Sequence, residues 1–202
     1  MWFEHVHVYT YDIFRERMGF KLAWGCLFFY PYFYCIGGWS QPELSGAEYA
    51  ATLCIFFAGW VMTRGANLQK FSFRTSPNES SFYFLGLFMV KQTCVPAPPE
   101  SRAHQRILCS GWWGLARHVN YFGEILQAVA MAIPGAIGAH KASDGQLWNG
   151  IYSVAWLYPL YYVMLFLPRQ ADDDIICELK YGKPVWDEYK NRVPSKIIPG
   201  LL

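Results

Sequence analysis

Between Leu108 and Glu124 the chain reads Leu108-Cys-Ser-Gly-Trp-Trp-Gly-Leu-Ala-Arg-His-Val-Asn-Tyr-Phe-Gly-Glu124. Two indoles, an Arg-His pair, an Asn-Tyr pair and a carboxylate stand here between apolar flanks. Burying Arg117, His118, Asn120 and Glu124 in a plain hydrophobic core would leave costly unpaired polar groups. A pocket that grips a flat, charged cofactor at a membrane face would use all of them. Two further sets have the same character. Lys70 and Arg74 are four apart, so on a helix they share a face, and Asn67 joins them in a cationic, hydrogen-bonding stripe. Such a stripe serves either as a basic membrane anchor or as a grip on phosphates. Arg169, Asp173, Cys177 and Lys180 fall on one arc of a helix at ~100° per residue, with Asp172 and Tyr181 on its flanks. That arc is either a salt-bridged solvent face or the wall of a nucleotide pocket, with cations for phosphates and a carboxylate for ribose hydroxyls.

Other chemistries find no support. No Gly-x-Gly-x-x-Gly follows a strand, no phosphate-binding Gly-x-x-x-x-Gly-Lys-Ser/Thr occurs, and Gly111-Trp-Trp-Gly114 is not a phosphate loop. A dinucleotide here must be held by side chains of a helical protein, not by a Rossmann unit. His5 and His7 alternate, but no third ligand is near, and no metal site is read. The six cysteines (26, 35, 54, 94, 109 and 177) show no Cys-x-x-Cys and no paired spacing, so they read as reduced thiols used as small hydrophobes.

The elements that must position these groups lie in lipid. Apolar residues make up 53% of the 202, aromatics 19% and charged residues 16%. A water-facing surface usually needs about 25% charge, so much of this surface is expected to face the bilayer. The net charge of +2 is too small to suggest nucleic acid. Met1 is followed by Trp-Phe-Glu-His, and no signal peptide is read. Residues 1–21 are amphipathic. Spans of about 20 apolar residues are predicted near 22–42, 44–63, 121–139 and 147–168, followed by a polar tail, 169–202. Gly182 should end the tail's helix, since Pro184 cannot continue it. Residues 64–105 form a polar connection with a Pro-rich piece at 95–99. The apolar run 80–90 within it is too short to cross and reads as an interfacial or loop segment. The predicted fold class is all-α: a single domain over 1–202, a multi-pass membrane bundle with a cytoplasmic cofactor pocket.

Charge supports this count. Four spans put residues 1–21, 64–118 and the tail on one side, and these hold every Lys and Arg except Lys141. By the positive-inside rule that side is cytoplasmic, and every polar set above lies on it.

Together these residues resemble the C-terminal half of the sterol reductase family, membrane enzymes that reduce C14=C15, C7=C8 or C24 double bonds in sterols; the lamin B receptor carries the same domain. Thr10-Tyr-Asp12-Ile13, Glu16, Gly19-Phe20 and Trp24-Gly25 are similar to the family's T-x-D-I…E…G-F…W-G. Ala66-Asn67-x-Gln69-Lys70-x-x-Phe73-Arg74 is similar to A-N-x-Q-K-x-x-F-R. Ser110 to Glu124 fits S-G-W-W-G-x-A-R-H-x-N-Y-x-G-D/E. The tail carries Arg169, Asp173, Cys177, Lys180-Tyr-Gly, Trp186, Tyr189 and Val193-Pro194 in the family's order.

The resemblance implies NADPH on the cytoplasmic side, with contacts at Lys70, Arg74, Leu108, Trp113, Asn120, Tyr121, Arg169, Asp173, Cys177, Lys180, Tyr181 and Tyr189. It implies a sterol or similar lipid as substrate, reduced by protonation and hydride transfer in a water-poor pocket. Asp12 or Glu16 is expected to serve as, or feed, the proton donor, since burial raises a carboxylate's pKa. The location implied is the endoplasmic reticulum in a eukaryote or the inner membrane in a bacterium. Where the family has His-Arg-x-x-Arg-Asp, this chain has Pro168-Arg169-Gln-Ala-Asp172-Asp173. One cation has become an acid, which weakens the expected grip on a 2′-phosphate. One extra residue sits between Gly182 and Trp186, and the chain is about half the family's usual length. Two alternatives remain. Arg117-His118, Tyr121, Glu178-Leu179 and Val193-Pro194 also resemble the pattern of isoprenylcysteine carboxyl methyltransferases, which use S-adenosylmethionine. A non-catalytic sterol-binding protein could keep the same fold.

Overall fold

In the computed structural model of the chain, residues 24–36, 43–75, 81–84, 88–96, 106–143 and 154–201 are described. The amphipathic start with His5, His7, Asp12 and Glu16, most of the Pro-rich piece, and parts of the first and fourth predicted spans lie outside them.

Most of the described chain is helical. A π-helical turn, Gly25–Phe29, leads into α1, Tyr30–Ile36. Helix α2 is Gly46–Thr75. Its start is a reciprocal cap: the Ser45 N–H donates to Glu48 Oε2 (2.7 Å) and the Glu48 N–H to Ser45 Oγ (3.3 Å). The helix covers the predicted span 44–63 from Gly46 on and continues to Thr75, into the stretch read as a polar connection. Gly59, Thr63, Ala66, Gln69 and Phe73 are all buried. Spaced three and four apart, they carry one packing face through the polar residues.

The described residues are mostly helical, in keeping with the expected all-α class, with a few short strands. The segment read as interfacial or loop folds in part as β1, Ser81–Phe84, paired antiparallel with β2, Phe88–Lys91, in the register Ser81↔Lys91 and Phe84↔Phe88. A second short ladder joins β3, Cys94–Val95, to β4, Ile107–Leu108. A short helix α3, Trp112–Leu115, precedes α4, Val119–Ala142, which covers the predicted third span. After a 3-10 turn, Val154–Trp156, helix α5 runs unbroken from Leu157 to Tyr181. The predicted border between fourth span and tail is therefore not a break, and Pro168 sits inside the helix. Gly182, at φ 87°, stops α5 as its sequence position predicted. Pro184 then lies in the first turn of α6, Lys183–Arg192, where a missing N–H costs little. Among the described residues two helices, Gly46–Thr75 and Val119–Ala142, are long and apolar enough to cross a membrane. The cysteines at 35, 54, 94, 109 and 177 are free thiols.

Contacts divide the chain into two compact units. The first takes residues 1–58 and 125–162. Within it Phe33 stacks on Tyr158 (5.6 Å) and Tyr161 (5.8 Å), and Phe29 meets Tyr161 edge-on (4.8 Å). Lys141 pairs with Glu48 (2.9 Å) and donates to the Glu43 carbonyl (2.7 Å).

The second unit takes residues 59–124 and 163–202. One of its cores gathers Ala66, Phe73, Leu108, Trp113, Ala116 and Val119. The other gathers Val95, Ile107, Tyr181, Val185, Trp186, Tyr189 and Val193. Thr63 Oγ1 donates to the Asn120 carbonyl (3.3 Å). Gly123 is obligatory at this crossing: a Cβ there would lie 2.3 Å from Thr63 Oγ1 and 2.7 Å from the Gly59 carbonyl. Gly123→Ala should thus destabilise the unit by about 1–3 kcal/mol through overpacking. Thermal unfolding in detergent followed by circular dichroism checks this; a variant melting with the parent would contradict the packing described.

Candidate functional site

The Trp-rich stretch is held against α2 by a wholly buried amide. Gln69 Nε2 donates to the Ser110 carbonyl (3.1 Å) and Gln69 Oε1 accepts from the Trp112 N–H (3.0 Å). One helical turn earlier, the Ala66 carbonyl accepts from Trp113 Nε1 (2.7 Å). These bonds lay the Trp113 ring beneath the Lys70 ammonium, 4.4 Å from its centroid. Ser110 fastens the other side, donating to the Lys91 carbonyl (2.8 Å) and accepting from the Thr93 N–H (2.7 Å).

A few residues on, Arg117 is buried and bound on three sides. Its Nη1 donates to the carbonyls of Val193 and Pro194 (3.0 Å each), and its Nη2 lies 3.4 Å from Asp174 Oδ2. The main chain repeats the contact: Arg117 N–H donates to the Ser195 carbonyl (3.0 Å) and His118 N–H to that of Lys196 (2.8 Å). The chain after α6 is thereby strapped along residues 117–118. Gln170 Nε2 also donates to Asp174 Oδ2 (2.5 Å). The His118 ring stacks on Tyr121 (5.0 Å, 16°) and Tyr121 on Phe166 (4.4 Å, 3°). The Tyr121 hydroxyl donates to Asp173 Oδ2 (2.8 Å).

On α5, Arg169, Asp173, Cys177 and Lys180 are half-buried while Asp172 is exposed, so the predicted arc is a partly enclosed face. Lys70 interacts electrostatically with Arg74, Cys177, Asp173 and Lys180. Burial pushes the Cys177 thiol up, against the pull of the Lys70 and Lys180 charges, so it stays a neutral thiol. Lys180 stands over the Tyr181 ring at 5.0 Å. Burial likewise raises the Tyr189 hydroxyl.

The unit therefore brings Lys70, Arg74, Trp113, Asp173, Cys177 and Lys180 into one neighbourhood, with Tyr121 bonded to its carboxylate. Leu108 packs in the core with Trp113. Tyr189 and Tyr181 share the adjoining core with Cys177 packed against it. Asn120 begins the same helix as Tyr121, and its side-chain Oδ1 is buried without a partner among the described residues. Arg169 lies one turn ahead of Asp173. Asp12 and Glu16 fall outside the described residues. The sequence expectations missed Gln69, Gln170 and Asp174 as supports of this site. Gln69 carried a signal, since it sits in the same motif and on the same helix face as Lys70. The set suits an anionic ligand with flat rings: ammonium groups for phosphate, an indole for stacking, and an unsatisfied amide oxygen for an N–H donor.

The described residues, largely helical and with two membrane-length apolar helices among them, suggest a membrane protein. Residues 1–202 match the Ergosterol biosynthesis ERG4/ERG24 family, and the chain belongs to that family. It is 31% identical over 194 residues to an Arabidopsis thaliana Delta(14)-sterol reductase, covering 94% of this chain and 45% of that protein. It is 32% identical over 203 residues to the Mus musculus Delta(14)-sterol reductase TM7SF2, covering 98% of this chain and 43% of that protein. To the Schizosaccharomyces pombe Delta(14)-sterol reductase erg24 it is 31% identical over 194 residues, covering 94% of this chain and 40% of that protein. The chain spans less than half the length of these curated relatives. The methyltransferase-like pattern in its tail is thus set inside a sterol reductase-family sequence.

Two outcomes test the geometry. Gln69→Leu strands the Ser110 carbonyl and the Trp112 N–H, and should cost about 1–3 kcal/mol for each group left buried without a partner; chemical denaturation in detergent measures it. Burial alone would raise the Asp174 carboxyl, but the His118 imidazole and the Arg117 guanidinium outweigh it and hold the group below its ordinary value. A depressed carboxyl stabilises the fold above the ordinary carboxylate range, and that stability is lost as pH falls through the folded-state value. The parent's melting temperature should therefore drop more steeply than that of Asp174→Asn between about pH 5 and pH 3. Parallel curves would contradict the pairing.

Proposed function

We propose that this chain forms the nucleotide-binding part of a membrane reductase, which reduces a carbon-carbon double bond in a sterol or similar polycyclic lipid. The observation that carries the reading is the gathering of Lys70, Trp113, Asp173, Cys177 and Lys180 around one face, beside the Tyr121–Asp173 hydrogen bond. Family membership and the names of the relatives point the same way. The cofactor is NADPH, which when bound supplies a hydride. Lys70, Arg74, Arg169 and Lys180 bind its phosphates as charge-assisted donors. Trp113 offers a flat surface, Tyr121 contributes through its hydroxyl, Asn120 offers a hydrogen-bond acceptor, and Leu108, Tyr181 and Tyr189 back the wall. Cys177, a neutral thiol, fills the face without adding charge. Asp12 or Glu16, from the N-terminal segment, is a candidate to feed the proton donor.

The setting is a bilayer. The most apolar window of α2 is only 11% buried, and that of α4 33%, so these helices present apolar surface that needs a lipid cover rather than a soluble core. Four spans with the cation-rich side cytoplasmic remain our reading. The Lys141–Glu48 pair supports it, because it brings the two predicted opposite-side loops together at their helix ends.

Thermal stabilisation in detergent tests the cofactor. NADPH alone should raise the melting temperature and S-adenosylmethionine should not; a shift with sterol but none with nucleotide would favour a sterol-binding protein without catalysis. Asp172 is exposed, so Asp172→Arg should tighten NADPH relative to NADH only modestly, by up to about fivefold, the worth of a surface charge pair of ~1 kcal/mol. Unchanged selectivity would remove Asp172 from the phosphate side of the site.

A further inference from the structure

Reducing an alkene by protonation and hydride transfer needs a group that surrenders a proton in dry surroundings and regains it between turnovers. Resting on the reductase reading above, we propose that His118 stores this proton and passes it through Asp173 to the Tyr121 hydroxyl, which delivers it to the alkene.

The placement of the imidazole carries this. Each ring nitrogen faces a different carboxylate: Nδ1 lies 3.9 Å from Asp173 Oδ2 and Nε2 lies 3.8 Å from Asp174 Oδ1. The Asp173 oxygen on this side is the one that accepts from the Tyr121 hydroxyl at 2.8 Å. One oxygen therefore links imidazole and phenol. The other carboxylate is aimed: Arg117 and Gln170 both hold Asp174 Oδ2, which leaves Oδ1 turned to the imidazole with no other partner among the described residues. His118 Nε2 is also buried without a hydrogen bond. A ring shift of about 1 Å closes either gap to hydrogen-bond length. Catalytic hydrogen bonds are often long in ligand-free structures and tighten on binding. The main chain of His118 is fixed meanwhile by its N–H bond to the Lys196 carbonyl. The titratable and charged neighbours are Asp173 and Asp174 from α5, Tyr121 from α4 and Arg117 beside it in the chain. The relay joins the side chain of Asp174, 22% exposed, through an imidazole 12% exposed and Asp173, to a half-buried phenol stacked on buried Phe166. A hydrogen bond that served only to shape a cofactor wall would need Tyr121 and Asp173 alone. It gives no reason for a buried imidazole between two carboxylates.

The step balances. One alkene carbon takes the Tyr121 proton as the π pair becomes a C–H bond. The adjoining carbon, now electron-deficient, takes the hydride that the reduced nucleotide supplies. The Tyr121 oxygen regains a proton from Asp173, Asp173 from His118, and His118 from water by way of Asp174. The alkene gains two electrons and two hydrogens, the nucleotide loses two electrons with its hydride, and the water that recharges His118 is left as hydroxide in solvent.

The test uses the full chain purified in detergent, with NADPH and a sterol carrying a C14=C15 double bond, run in H2O and D2O. The parent reading requires reduction by the unaltered chain, with a solvent deuteron in the product; without that the reductase reading fails, and this relay with it. Given that activity, His118→Ala should lower kcat by about 100-fold or more, with the nucleotide dissociation constant unchanged. Imidazole should restore the rate, and pyrazole, equal in size but far weaker as a base, should not. His118→Gln, which keeps polarity and bulk, should be as slow as His118→Ala. Either variant turning over at the parent rate, equal rescue by both azoles, or a loss of nucleotide affinity in step with rate would overturn the relay while leaving the reductase reading intact.

Discussion

A guanidinium has donors and no acceptor, so burying Arg117 obliges the chain to bring acceptors to it. It finds them in the Val193 and Pro194 carbonyls and in the Asp174 carboxylate. That requirement ties three stretches far apart in sequence: the Trp-rich segment, the end of α5 and the strap after α6. The strap then closes a core in which Tyr181, Trp186, Tyr189 and Val193 are buried. Asp174, once oriented, turns an oxygen toward His118, and Asp173 beside it on α5 meets Tyr121. The geometry of the candidate site thus follows from satisfying one buried cation.

Gln69 answers the same need on the opposite side of the Trp-rich segment. A wholly buried amide is tolerated because both of its ends are used. In return it sets the indole of Trp113 under Lys70. Two polar residues that touch no ligand in our reading therefore position the aromatic and cationic groups that would. Lys70, Asn120, Tyr121, Arg169, Asp173, Cys177 and Lys180 stay half-buried, the state expected of groups that must meet a charged ligand.

The local patterns were legible in the sequence. The shared face of Lys70 and Arg74, the arc from Arg169 to Lys180 and the stop at Gly182 follow from helical spacing and glycine chemistry, and the ordered motifs identify the family. Other features were not legible as read. Helix α2 outruns the predicted span because hydropathy falls at Arg64, whereas packing continues through Ala66, Gln69 and Phe73. The β1–β2 hairpin was read by length alone, although Ser-Phe-Tyr-Phe and Phe-Met-Val-Lys on either side of a Gly carry strand propensity. The strap could not be found at all. Its acceptors are backbone carbonyls some 76 positions beyond Arg117, and a carbonyl has no letter in a sequence.

The most direct measurement is hydrogen–deuterium exchange on Arg117→Gln beside the unaltered chain, with NADPH affinity measured on the same samples. If the buried guanidinium organises the site, the amides of Arg117 and His118 lose protection as the strap lifts, the NADPH affinity falls with them, and the helical protection of α2 persists. Unchanged protection at both amides together with unchanged affinity would contradict the account.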